Sequence, residues 1–251
     1  MRTALVLLVM FIGFIISLPV VIIAYLLGIF SLKLKARLAQ LYLAVVCRMI
    51  LAAAGVKLSV IGVERVPKNR AVIYVSNHRS HADPVIAYAT LSNLTSFIAK
   101  TELKNVPILS FWIIFLNGLF IDRDNLRDGL KVIKSGVQLI KQGYSVFVFP
   151  EGGINEGDEL DLLSFKEGTF KLVKKTGCPI VPVSINNSRY ILEEQLPYLK
   201  GGNVIIEYGE PIYIENLDDT DQKHLGDYMQ KIVQEMVIKN SKKIEKKKTL
   251  S

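Results

Sequence analysis

Residues 71–91 read AVIYVSNHRSHADPVIAYATL, and the change of pattern inside this stretch decides the fold. The first five residues, Ala71 to Val75, are continuously apolar and rich in β-formers, as in a strand covered on both faces. From Pro84 the pattern is helical. Asp83-Pro84 reads as a helix start, with Asp as candidate N-cap and Pro at the first helical position. Between strand and helix lies a polar loop with two histidines, His78 and His81. Open α/β sheets carry their reactive groups at the carboxyl ends of strands, where this loop falls.

The same alternation extends outward. Further β-rich runs fall at 57–62, 95–99, 118–121, 144–149, 180–185 and 203–208, and helical stretches at 84–91, 107–116, 126–142, 164–176 and 220–238. The clearest helix is 126–142, where Leu126, Leu130, Ile133, Val137 and Ile140 recur at steps of three and four before Gly143 ends it. Strands alternating with helices predict a single α/β domain with a mostly parallel sheet flanked by helices.

Upstream the character is different. Of 251 residues half are hydrophobic, and mean hydropathy is +0.32. The excess sits in residues 3–31, which carry no charge. A secretory apolar core is ~7–15 residues followed by small residues at a cleavage site. This run is longer and has no such site, so it is expected to stay on the chain as a membrane anchor. About 20 apolar residues cross a bilayer, but Pro19 offers a bend, so a span and a half-inserted hairpin both fit. Lys33, Lys35 and Arg37 follow the run, which places the remainder on the cytoplasmic face by the positive-inside rule. A second apolar helix at 36–55 fits either the membrane interface or the core. The expected organisation is a membrane-anchoring segment over 1–56, a catalytic domain over 57–238 and a basic tail over 239–251, the tail frayed and solvated or drawn to anionic lipid.

The net charge of +8 calls for an anionic partner, and the apolar N-terminus favours a membrane over nucleic acid. The lysines cluster in the tail without interleaved aromatics, so no nucleic-acid partner is expected. Cys47 and Cys178 lie far apart, which argues against a zinc cluster or a disulfide framework. His81 near His78 and Asp83 matches no familiar metal spacing, so no metal is assigned.

His78 and Asp83 are five residues apart and would diverge on a continuous helix. In a loop folding into a helix they can meet, with the carboxylate fixing one imidazole nitrogen and leaving the other as a base. Spacing alone favours a loop histidine and a capping aspartate. Ser76, Ser80 and Ser164 lack the elbow of a covalent nucleophile, which favours direct transfer.

Asn77-His78 through Asp83 resembles the Asn-His-x4-Asp motif of the glycerolipid acyltransferases, the 1-acylglycerol-3-phosphate acyltransferase family. Further blocks follow in the family's order: Ala99-Lys100-x-Glu102-Leu103, Gly118 to Arg123 (GLFIDR), Phe149-Pro150-Glu151-Gly152, Phe165-Lys166-x-Gly168 and Pro179 to Val183 (PIVPV). The likeness covers roughly 57–212. It implies transfer of a fatty acyl group from an acyl thioester, acyl-CoA or acyl carrier protein, to the free sn-2 hydroxyl of 1-acylglycerol-3-phosphate, giving phosphatidic acid. No cofactor beyond the thioester co-substrate is implied. By the same resemblance His78 is the base and Asp83 its orienting partner. Arg123, assisted by Lys100, holds the acceptor phosphate, and Glu151 and Gly152 position the glycerol backbone.

One departure bears on the acceptor. The family continues Phe-Pro-Glu-Gly with Thr-Arg-Ser, whereas here Gly153-Ile154-Asn155 follows, removing a basic group. Another lysophospholipid or glycerol-3-phosphate then becomes an alternative acceptor, and a non-catalytic lipid-binding membrane protein an alternative function. An acyl chain needs an apolar channel, for which Ile108–Leu116, with the only tryptophan, Trp112, is the candidate, alongside an ordinary core role.

Overall fold

The computed structural model describes residues 1–122 and 125–249. Seven strands, β1 (Val56–Ile61), β2 (Ile73–Ser76), β3 (Thr95–Lys100), β4 (Leu119–Ile121), β5 (Ser145–Val148), β6 (Ile180–Asn186) and β7 (Gly202–Tyr208), form one sheet in the order β1-β7-β6-β2-β5-β3-β4. Every neighbouring pair is parallel except β6 and β7. The helices are α1 (Arg2–Phe30), α2 (Leu32–Ala53), α3 (Asp83–Thr90), α4 (Pro107–Phe115), α5 (Leu126–Lys141), α6 (Glu167–Thr176), α7 (Ser188–Ile191), α8 (Asp219–Lys223) and α9 (Leu225–Thr249). The expected α/β domain is present, with strand limits within two residues of those read from the sequence.

The period-two geometry of strands sorts neighbouring residues onto two cores. Tyr74 and Phe147 face one layer, with Ile86 of α3 and Cys47 and Leu51 of α2. Ile73, Val75, Val146 and Val148 face the other, with Phe170 of α6 and Met229 and Val233 of α9. Central strands β2, β5 and β6 are therefore buried on both faces.

Helices α1 and α2 form an antiparallel hairpin. Pro19 lies inside a continuous α1, and the turn falls at Ser31, whose hydroxyl caps α2 by accepting from the Leu34 amide. The Tyr42 hydroxyl donates to the Gly13 carbonyl, where the missing side chain lets the helices approach. Both helices are long and apolar enough to cross a bilayer, but they are placed differently. Along its length α2 is a layer of the domain. Tyr144 Oη donates to the Leu32 carbonyl (3.4 Å), Gln40 binds both the Asn93 carbonyl (2.7 Å) and the Thr95 amide (2.8 Å), and Arg48 Nε donates to the Ala89 carbonyl (2.7 Å). Helix α1 packs outside it and leaves most of its large apolar side chains exposed.

Two expectations need correction. Residues 239–249 are helical rather than frayed, because α9 runs through to Thr249. Fully buried Asn240 donates to Glu207 (2.7 Å) and Ser184 (3.0 Å), and Lys239 Nζ reaches Glu207 at 2.6 Å, so the start of the basic stretch belongs to the core. The single helix expected over 220–238 is broken at His224 into α8 and α9.

Candidate active site

Strands β2 and β5 run side by side in parallel, with Val75 opposite Val148. The chain leaving each strand therefore emerges at the same end of the sheet, bringing Asn77-His78 next to Phe149-Pro150-Glu151. Asn77 is fully buried and locks its loop to β6: Nδ2 donates to the Ile185 carbonyl and Oδ1 accepts from the Ile185 amide, both at 2.9 Å.

His78 and Asp83 meet. Nδ1 of His78 lies 2.9 Å from Oδ2 of Asp83, at the first turn of α3. The same oxygen accepts the amides of Arg79 (2.7 Å) and Ser80 (2.9 Å), so the buried carboxylate is held by the loop it organises. Asp83 is the first residue of α3 rather than its N-cap, and its side chain bonds backward into the loop. An ionised carboxylate on Nδ1 keeps the proton there and leaves Nε2 with its lone pair. The imidazole stacks on Phe149 with ring centroids 4.1 Å apart and retains 14% side-chain exposure, enough for a reactant to reach it.

Glu151 fixes the other side of the loop. It is buried, and its two oxygens accept the His78 amide (2.6 Å) and the Leu163 amide (2.9 Å). Burial raises its pKa above the ordinary carboxylate value, against the lowering effect of those two amides and of nearby His78 and Arg79. Gly152 has φ +77°, a left-handed backbone that favours glycine, and a Cβ there would have to displace the flexible end of the Lys166 side chain, 2.6 Å away.

Sequence reading did not single out Arg79. Its guanidinium is buried and donates from Nη2 to the Gly157 carbonyl (2.6 Å), while Nε and Nη1 have no hydrogen-bond partner among the described residues. A charged side chain inside a polar loop gives no sign in sequence that it will turn inward. Nor did the sequence assign a part to Asn155, at the end of the substituted tripeptide. Its amide donates to the His78 carbonyl (2.9 Å) and its side chain accepts from the Gly157 amide (2.9 Å). His81 is exposed and paired with Glu193, Nδ1 to Oε1 at 3.0 Å.

Lys100 ends β3, opposite Ile121 of β4, at the same end of the sheet as His78. Its side chain is half exposed and only loosely paired with Glu102 at 3.8 Å. Arg123 lies outside the described residues.

Beside the His78 loop is a cavity of about 410 Å³ whose walls include Ile98, Ile133, Val148 and Leu172, with Gly152 and Lys166. Phe149 separates it from the imidazole, being both a wall of the cavity and the ring stacked on His78. None of Ile108–Leu116 lines it. That segment is α4, which packs on the hairpin through Trp112 and Phe115 and turns its other side outward.

A family model described as Acyltransferase matches residues 57–186. The 1-acyl-sn-glycerol-3-phosphate acyltransferase of Borreliella burgdorferi is 28% identical over 192 residues, 76% of this chain and 74% of that protein. A protein of Mycoplasma pneumoniae named probable 1-acyl-sn-glycerol-3-phosphate acyltransferase is 30% identical over 184 residues, 68% of each chain. The crystal structure of the 1-acyl-sn-glycerophosphate acyltransferase PlsC from Thermotoga maritima aligns with a TM-score of 0.75 at 25% identity, covering 96% of this chain and 98% of that one. The family model spans the His78 loop, the Glu151 turn and strands β2 to β6 with all but the first residue of β1, and the chain belongs to the acyltransferase family.

Proposed function

We propose that this enzyme transfers a fatty acyl group from a thioester donor to the free hydroxyl of 1-acylglycerol-3-phosphate, with His78 as general base. The observation that carries the reading is the His78–Asp83 contact at 2.9 Å, with the carboxylate also held by two amides. Nε2 takes the proton as the acceptor oxygen attacks the thioester carbonyl. The tetrahedral adduct then collapses, the carbon–sulfur bond breaks, and the leaving thiolate recovers the proton from the imidazolium. A positioned base of this kind contributes about 10²–10⁴-fold. Asp83 stabilises the transient imidazolium.

The acceptor phosphate is assigned to Lys100 and Arg123, with Lys166 as a further cation in the wall of the cavity. Lys166 stands beside the turn where the family's Arg is replaced, and its charge offsets that loss. The apolar cavity suits an acyl chain. Glu151 and Gly152 serve the glycerol backbone indirectly, by fixing the loops around it.

We assign the hairpin to one leaflet, with the catalytic domain on the cytoplasmic face. A helix bound to the domain along its whole length, as α2 is, cannot also cross the bilayer, whereas the exposed apolar surface of α1 can lie in the interface.

The test is transfer from labelled acyl-CoA and acyl carrier protein thioesters by protein reconstituted in lipid. Acceptors are 1-acylglycerol-3-phosphate, other lysophospholipids and glycerol-3-phosphate, with His78→Ala in parallel. The expected result is transfer to 1-acylglycerol-3-phosphate that falls at least 100-fold in the variant. Equal activity of the variant would overturn the role of His78. Folded wild-type protein without transfer to any acceptor would favour a lipid-binding protein.

A further inference from the structure

Apart from Ser110, helix α4 is apolar all round, a composition expected for a helix buried in protein or in lipid. Within it only Phe115 is fully buried in protein. Inward, Trp112, Phe115 and Leu116 pack with Val21 and Ala24 of α1 and Leu38 and Ala39 of α2. Tyr42 stacks on Trp112 at 5.5 Å between centroids, and Lys35 Nζ lies 4.4 Å from the centre of the Phe115 ring. Outward, Ile108, Leu109, Phe111 and Ile114 stand between 43% and 61% exposed.

We propose that α4 is a second membrane-inserting element, its outer face seated at the headgroup–acyl boundary of the leaflet that holds α1. The proposal rests on the membrane reading of the hairpin. Continuity argues for lipid as the occupant. Leu18, Ile22 and Tyr25, neighbours along α1 of the residues gripping α4, are themselves exposed, so apolar surface stands open on both helices beside their contact. Charge argues the same way: Lys100 and Lys104, against the single acidic Glu102 between them, give the approach to α4 a net positive charge for anionic headgroups to meet.

Insertion also has a consequence for the site. Helix α4 is the excursion between β3 and β4, and Ile98 and Ile121 of those strands line the cavity. Seating α4 in the leaflet brings that wall to the bilayer surface, so an acceptor lipid enters sideways without leaving the membrane.

Trp112 is the only tryptophan, so its emission reports on α4 alone. The full chain is reconstituted in phosphatidylcholine–phosphatidylglycerol vesicles with or without acyl chains brominated near the glycerol. A second protein, Phe11→Trp with Trp112→Phe, reports on α1. The expected result is loss of most Trp112 emission on brominated lipid. In Ile108→Asp/Ile114→Asp that quenching disappears, and the same pair of substitutions in the α1-reporter protein leaves its quenching intact. Quenching of the α1 reporter with none at Trp112 overturns the proposal and leaves the hairpin reading standing. Quenching of neither overturns both. Trp112 emission shielded only at protein concentrations that form dimers, with or without brominated lipid, assigns the face to a second copy and also overturns it.

Discussion

The two sides of the site are built differently. On the β2–β5 side, His78, Asp83, Glu151 and Asn77 are tied by hydrogen bonds to amides of their own and neighbouring loops. On the β3–β4 side, Lys100 is half in solvent with a loose partner, and the adjoining α4 shows apolar residues to the outside. The first side is preorganised by the fold, as the proposed base would require to act on a bound hydroxyl. The second is left incomplete by the protein, and in the proposed reaction the phosphate and the leaflet complete it.

The sharpest way to break this contrast is Asp83→Asn. The charge that holds Nδ1–H is lost and the amide favours the wrong tautomer, so kcat is expected to fall about 10⁴-fold with little change in KM. Steady-state kinetics on folded protein measures it. A loss of less than tenfold would mean that the buried pair is structural.

Glu151→Gln probes the anchor of the loop without altering the His78 side chain or its contact with Asp83. A glutamine carries one acceptor oxygen, so either the His78 or the Leu163 amide loses its partner, costing about 1–3 kcal/mol. Denaturant unfolding should show that loss, and kcat should fall by less than in Asp83→Asn. The pH dependence has a definite sign. Burial favours the neutral carboxyl, so its contribution to stability is full below the ordinary glutamate pKa and is lost as pH rises through the raised folded-state value. The Gln variant should lack that component of the pH profile.

Lys100→Ala sharpens the other side. A half-exposed cation binding a lipid phosphate should raise KM by about tenfold, leave kcat and stability near wild type, and lose its effect at high salt. A drop in kcat with unchanged KM would place Lys100 among the preorganised groups instead.

Much of this was legible in the sequence because it depends on local pattern. Seven strands follow from β-rich runs, and α5 from the spacing of Leu130, Ile133, Val137 and Ile140. The reading failed where a residue's surroundings come from distant chain. Lys239 and Asn240 look like a solvated tail until Glu207, more than 30 residues upstream, is placed beneath them. Trp112 and its neighbours fit a channel wall or an ordinary core from sequence, and packing against the hairpin decides for the second at Trp112, Phe115 and Leu116, away from the cavity.

By itself the sequence determined the α/β alternation, the apolar N-terminus and the resemblance built on the His78 and Glu151 blocks, since each is written in contiguous residues. Only the tertiary structure decided that Asp83 faces His78 rather than capping its helix, that Glu151 holds the loop from below, and that α2 joins the domain while α1 stays outside. Those outcomes depend on which strand ends lie side by side, and parallel pairing of β2 with β5 joins segments more than 70 residues apart. No local pattern encodes that distance.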